Sequence, residues 1–151
     1  MSNDNKDLVQ AEKQYKKALK LAYKSPLDAD KVIATLNSAI ALGSADAAFA
    51  LGTWYLQGVN VETDIKLAEE LLEFAAKKNH PIACFDYAIL MEKSERFNDA
   101  LIHYTKAALY GENESLIEVG RMYFHGIGCE PNPELAEVWY QKAETLGLIV
   151  D

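Results

Sequence analysis

"YFHGIGCEPNPELAEVWY", residues 123–140, holds two glycines one residue apart, and their role decides what kind of chain this is. A Gly-x-Gly stretch either cradles a phosphate or bends the backbone between two helices. A phosphate loop follows a buried strand and is followed by Lys-Ser/Thr or a third glycine. Gly126-Ile127-Gly128 instead follows a segment of helical period, and no such lysine comes after it. A second copy upstream carries the argument further. "ADAAFALGTWYLQGVNVETDIKLAEELLEFAAKKN" (45–79) aligns with "SLIEVGRMYFHGIGCEPNPELAEVWYQKAETLG" (115–147) at a constant offset of 68, pairing Gly52 with Gly120, Tyr55 with Tyr123, Gly58 with Gly126, Asp64 with Asn132, Leu72 with Tyr140 and Ala75 with Ala143. Gly58-Val59-Asn60 thus stands where Gly126-Ile127-Gly128 stands, and Asn is the usual non-glycine residue for a left-handed backbone. The glycine stretch reads as a turn.

Between the two copies, "IACFDYAILMEKSERFNDALIHYTKAALYG" (82–111) puts Ala88, Met91, Ala100, Tyr104 and Ala107 at the same marks. Its first half lies 36 residues after the upstream copy (88 against 52) and its second half only 32 (100 against 68), so four residues are missing between them. A deletion that leaves each half in register means two rigid elements joined by a turn of tolerant length. Both elements read as helices, because Ala48, Leu51, Gly52 and Tyr55, and likewise Ala68, Leu71, Leu72 and Ala75, recur at i, i+3, i+4 and i+7. Asp64, and Asn132 followed by Pro133, are N-cap signals. Asn79, Gly111 and Gly147 mark helix ends. "LVQAEKQYKKALKLAYK" and "DADKVIATLNSAIALG" form a degenerate first copy, its second helix in register through Asp28, Val32, Leu36 and Ala39 and its Lys-rich first helix a cap facing water.

The expected organisation is a flexible N-terminus over 1–7, a degenerate helix pair over 8–44, full repeats over 45–79 and 112–147, a short repeat over 80–111, and an apolar tail over 148–151. The pieces Ala48-Leu51-Gly52-Tyr55, Gly58-Val59-Asn60-Val61-Asp64 and Leu67-Ala68-Leu71-Ala75-Ala76 resemble the Sel1-like branch of the tetratricopeptide repeats, and the middle copy resembles a plain tetratricopeptide repeat. The resemblance implies an all-α superhelix, or solenoid, of antiparallel helix pairs acting as a non-catalytic scaffold for other proteins. Gly52, Ala88 and Gly120 are expected where the first helix of each pair closes on the second, opposite the small residues Ala68, Ala100 and Ala136.

Half of the 151 residues are hydrophobic, enough for a sizeable core, and the formal charge of −8 disfavours nucleic acid and anionic lipid while attracting a basic partner. No apolar run approaches the roughly 18 residues that cross a bilayer, and no leader precedes Leu8, so a cytoplasmic protein is expected. His80, His103 and His125 fall at different repeat positions and make no close pair with each other or with Cys84 or Cys129; no metal, cofactor or thiol nucleophile is expected. Tyr55, Tyr104, Tyr123, Trp139 and Tyr140 recur at helical spacing and read as core rather than a base-stacking surface, with Trp54, Leu90 and Met122 packing between neighbouring repeats.

If the first helices line the concave wall of such an array, then at about 100° per residue the partner-facing positions are Asp46, Ala50, Thr53 and Gln57. Register carries these to Ile82, Asp86, Ile89 and Lys93, and to Glu114, Glu118, Arg121 and His125. The expected function is a binding module, an adaptor or inhibitor, for another protein with a basic surface. An immunity protein against a bacterial toxin is a narrower alternative. The rival class is an enzyme using Asp86 and Glu118 as paired carboxylates. Homo-oligomerisation through Leu146, Leu148, Ile149 and Val150 is a further alternative.

Overall fold

The computed structural model describes residues 2–149. Among them are eight α-helices and no strand: α1 (Asn3–Ala22), α2 (Ala29–Ala41), α3 (Ala45–Gln57), α4 (Ile65–Lys77), α5 (Pro81–Lys93), α6 (Phe97–Leu109), α7 (Ser115–His125) and α8 (Pro133–Thr145). No described helix is long and apolar enough to cross a membrane. Helices pack as consecutive pairs, α1 with α2, α3 with α4, α5 with α6 and α7 with α8. The chain divides into two compact units, Met1–Lys78 and Asn79–Asp151, each of two pairs.

Helix starts follow a repeated chemistry. The side chains of Asp28, Asp64 and Asn132 accept the backbone N–H groups of Lys31, Leu67 and Leu135 at 3.1, 3.0 and 3.0 Å, satisfying donors that the first turn leaves open in α2, α4 and α8. Ser44 does this for α3, and His80, through Nδ1, for α5. Helix α1 begins at Asn3, with the Ser2 hydroxyl accepting from Asn5, so residues 3–7 are helical where the sequence reading expected a flexible end.

The glycines of the opening stretch act as the repeat predicts. Gly58 and Gly126 close α3 and α7 in the left-handed conformation, at φ 70° each, and Asn60 matches them at φ 62°. Gly128, at φ 74°, lies against α6: a side chain there would overlap the Phe97 carbonyl. The turn between α5 and α6 is residues 94–96, four shorter than the turns 58–64 and 126–132.

In the first unit Ala18, Val32, Leu36, Ala39, Ala47 and Leu51 form a buried cluster against which Trp54, Tyr55 and Leu71 pack. In the second unit Cys84, Ala88, Met91, Ala100, Tyr104, Val119, Met122 and Ala136 are buried. The small positions behave partly otherwise than expected. Ala68, Ala100 and Ala136 are fully buried, but the side chains that fill the glycine notches stand four residues further on. A Cβ on Gly120 would come within 2.6 Å of the Tyr140 ring, and one on Gly52 within 3.2 Å of Leu72. Positions 72 and 140 therefore supply bulk, and 52 and 120 supply the space for it; their register mates Tyr104 and Ala88 are both buried.

Gly120→Ala should destabilise the protein by about 1–3 kcal/mol through overpacking. Gly52→Ala, whose contacts are looser and whose helix propensity improves by about 1 kcal/mol, should be close to neutral. Urea unfolding midpoints check both. Adding Tyr140→Leu to Gly120→Ala should recover part of the loss, because Leu72 occupies the same register opposite Gly52.

Candidate functional site

In the second unit the first helices of the two pairs, α5 and α7, are joined by a charged network. Arg121 lies one residue past the Gly120 notch. Its Nη2 donates to both oxygens of Glu92 at 2.7 and 2.9 Å, and its Nε donates to Glu118 Oε2 at 2.9 Å. The Tyr104 hydroxyl, arriving from α6, donates to Glu92 Oε2 at 3.0 Å. Burial and the adjoining Glu92 carboxylate push the Tyr104 phenol above its ordinary pKa. The three charged side chains keep between 24 and 33% exposure, so the network is fixed yet reachable. Hydrogen bonds to charged groups at such sites exceed exposed ion pairs in strength.

A second acidic group sits on α5. Burial, reinforced by the charge of Glu112, raises the Asp86 carboxyl to about 6. Glu112 is itself occupied: its carboxylate accepts from the Ser115 N–H at 2.9 Å, from the Glu114 N–H at 3.3 Å and from the Ser115 hydroxyl. It thereby caps α7, whose preceding residue, Glu114, supplies no side-chain cap.

The remaining expected contact residues are distributed as follows. In the first unit Asp46 opens α3 and Gln57 ends it, both exposed, while the Thr53 hydroxyl donates to the Phe49 carbonyl at 2.9 Å. Asp46 also acts, after burial, to raise the pKa of Tyr15 on α1. In the second unit Ile82, Lys93, Glu114 and His125 are exposed and Ile89 is half-buried. His125 stands edge-on to Phe124, with ring centroids 5.0 Å apart. Of the expected set, the structure brings Glu118 and Arg121 into direct contact. Sequence reasoning missed Glu92, Glu112 and the hydroxyl of Tyr104. A signal for Glu92 existed: it occupies the register of Leu56 and Phe124, so a charge there calls for a partner.

Asp86 and Glu118 have different charged neighbours, Glu112 for the first and Arg121 for the second. Burial raises the pKa of both the Cys84 and Cys129 thiols, which opposes thiolate formation. Among the described residues no group of three or more His, Cys, Asp or Glu is placed to hold a metal ion.

The Sel1 repeat family matches residues 45–80 and 113–148. The crystal structure of a Sel1 repeat protein from Oxalobacter formigenes superposes with TM-score 0.84 at 24% identity over 97% of this chain and 62% of that one. The protective antigen c5321 of uropathogenic Escherichia coli, which displays an SLR fold, does so with TM-score 0.82 at 22% identity over 97% of this chain and 34% of that one. The protein is a Sel1-like repeat protein. Its fold is accordingly the all-α solenoid of that family, and Sel1-like repeat proteins generally mediate contacts between proteins as non-catalytic scaffolds. The immunity protein Pa5087 of Pseudomonas aeruginosa is also similar in fold, with TM-score 0.62 at 23% identity over 91% of this chain and 54% of that one. In sequence, an alignment 127 positions long that covers 77% of this chain is 27% identical to chitin synthase regulatory factor 3 of Schizosaccharomyces pombe, of which this Sel1-like chain spans 14%.

Asp86 makes stability depend on pH. In the folded chain it keeps its proton to about pH 6, whereas unfolded it releases it near 3.8. The folded state therefore binds more protons between those values, and Asp86's contribution to stability is present at pH 4 and lost as pH rises through 6. Asp86→Asn should gain about 1 kcal/mol on wild type between pH 4 and pH 7, after discounting for partial solvent access. Paired urea titrations at the two pH values check the difference, and an offset constant with pH would contradict it.

Proposed function

We propose that the α5–α7 face of the second unit, Asp86, Ile89, Glu92, Glu118 and Arg121 with Ile82, Lys93, Glu114 and His125 at its margins, binds another protein through a basic surface. Asp46, Thr53 and Gln57 on α3 are the corresponding contact positions of the first unit. The observation that carries this reading is the Glu92–Arg121–Glu118 network. It holds two carboxylates and one guanidinium in fixed positions with a net negative charge, beside half-buried Ile89 and Asp86. Side chains ordered before binding lose less conformational entropy on association. The chain's formal charge of −8 would speed the approach of a cationic partner.

The test is capture of a cognate partner by the tagged protein and its charge-reversed variants. Asp86→Lys with Glu118→Lys should reduce capture at least about tenfold through loss of charge complementarity. Reversal of the exposed Glu70, on α4 of the first unit, and Glu130, in the turn before α8, neither of them in the proposed contact set, should leave capture intact. Equal loss from both sets would defeat the proposal.

A narrower reading, an immunity protein that caps a basic toxin domain, is favoured by acidity and small size and by the fold shared with Pa5087. Co-expression with a toxin encoded beside the gene should then restore growth, and Asp86→Lys with Glu118→Lys should abolish the rescue.

A further inference from the structure

Two surfaces lie outside the α5–α7 face, and they are opposite in charge. Helix α1 buries Ala11 and Ala18; on its opposite side a helical stripe carries Val9, Lys13, Lys16 and Lys20. Residues 2–24 hold six lysines against three acids, a local charge of +3 in a chain of −8. Leu8 and Val9 are 54 and 50% exposed and line an open cleft with Lys13 and Lys16. Among the described residues neither Lys13 nor Lys20 is paired with an acid. On α8, Glu137, Tyr140 and Glu144 line a cleft of about 330 Å³ together with Ile149. Residues 112–149 hold seven acids against two basic residues, a local charge of −5.

The geometry points to a second copy of this chain as the occupant of the α1 stripe, with α1 of one copy packing antiparallel against α8 of the next. Spacing is the core of the argument. Lys13 and Lys20 are seven residues apart, and so are Glu137 and Glu144, so each pair spans two turns, about 10.5 Å. Run antiparallel, Lys13 meets Glu144 while Lys20 meets Glu137. Val9 and Leu8, four and five residues before Lys13, then lie past the Thr145 end of α8, where the left-handed Gly147 turns the chain back and brings Ile149 beside Glu137, Tyr140 and Glu144. That register sets no two like charges against each other along the outward faces. The charges supply orientation and encounter rate, and the apolar ends supply burial. Each such contact leaves the α8 surface of one copy and the α1 surface of the other to be matched in turn, by reciprocal pairing of the same two copies or by further copies.

Analytical ultracentrifugation of the full chain tests this. At low ionic strength the weight-average mass should rise with concentration, and salt of about 0.5 M should return it to the monomer value by screening the charge pairs. Lys13→Glu with Lys20→Glu, or Glu137→Lys with Glu144→Lys, should each weaken self-association about tenfold or more. All four reversals in one chain should restore it. These positions are exposed, so the variants should keep wild-type helical circular dichroism. Asp86→Lys with Glu118→Lys should leave the mass unchanged, which separates this contact from the proposed partner face. A wild type that stays monomeric at low salt, self-association indifferent to the double reversals, or a folded quadruple variant that fails to reassociate would each overturn the inference.

Discussion

Two helices can close on one another only where one of them gives way. Here the first helix of a pair yields, at Gly52 and Gly120, and the second fills the space with Leu72 or Tyr140. Ala88 and Tyr104 occupy the same marks in the middle pair, both buried, with Phe85 edge-on to the Tyr104 ring at 5.7 Å. Bulk on one helix and its absence on the other are thus a single constraint written at two positions. The charged network depends on it. Tyr104 is the filling residue of its pair and also the donor that holds Glu92, and Arg121 follows directly on the Gly120 notch.

Much of this was readable from the sequence, for a physical reason. A repeat states the same local solution several times, so weak signals such as Asp64, Asn132, Gly58 and Asn60 reinforce one another through register. Helix starts at Asp28, Asp64 and Asn132 and left-handed ends at Asn79, Gly111 and Gly147 follow from short-range chemistry and appear where expected. The partner of the glycine notch was less legible. Periodicity says which residues share a face, but the vertical offset between two packed helices decides whether Ala68 or Leu72 meets Gly52.

The site was legible in outline and not in its connections. Helical geometry selected Asp86, Glu118 and Arg121, and all three are half-buried in the structure. Glu92 lies on the flank of the selected arc and reaches Arg121 across 29 residues of sequence. Glu112 lies in a turn and acts at the start of a helix it does not belong to. Both roles arise from pairings between elements, which a single chain's periodicity does not encode. The acidity of the surface could be counted; which acids are tied and which are left to meet another molecule could not.

The shortened turn at 94–96 has a consequence for how such chains diversify. Doubling a loop costs only about 0.6 kcal/mol in closure entropy, so residues can be gained or lost between helices with little penalty. A change at a notch alters packing along a whole helix pair. Descendants of an ancestral array are therefore free to vary in turn length and outward chemistry while retaining the notches. The family pattern passes over residues 81–112, the stretch holding that turn, although its helices carry the buried Ala88 and Tyr104 at the same marks as their neighbours. Kinship in such arrays is better traced through the inherited match of hollow and filler than through the length of the repeating unit.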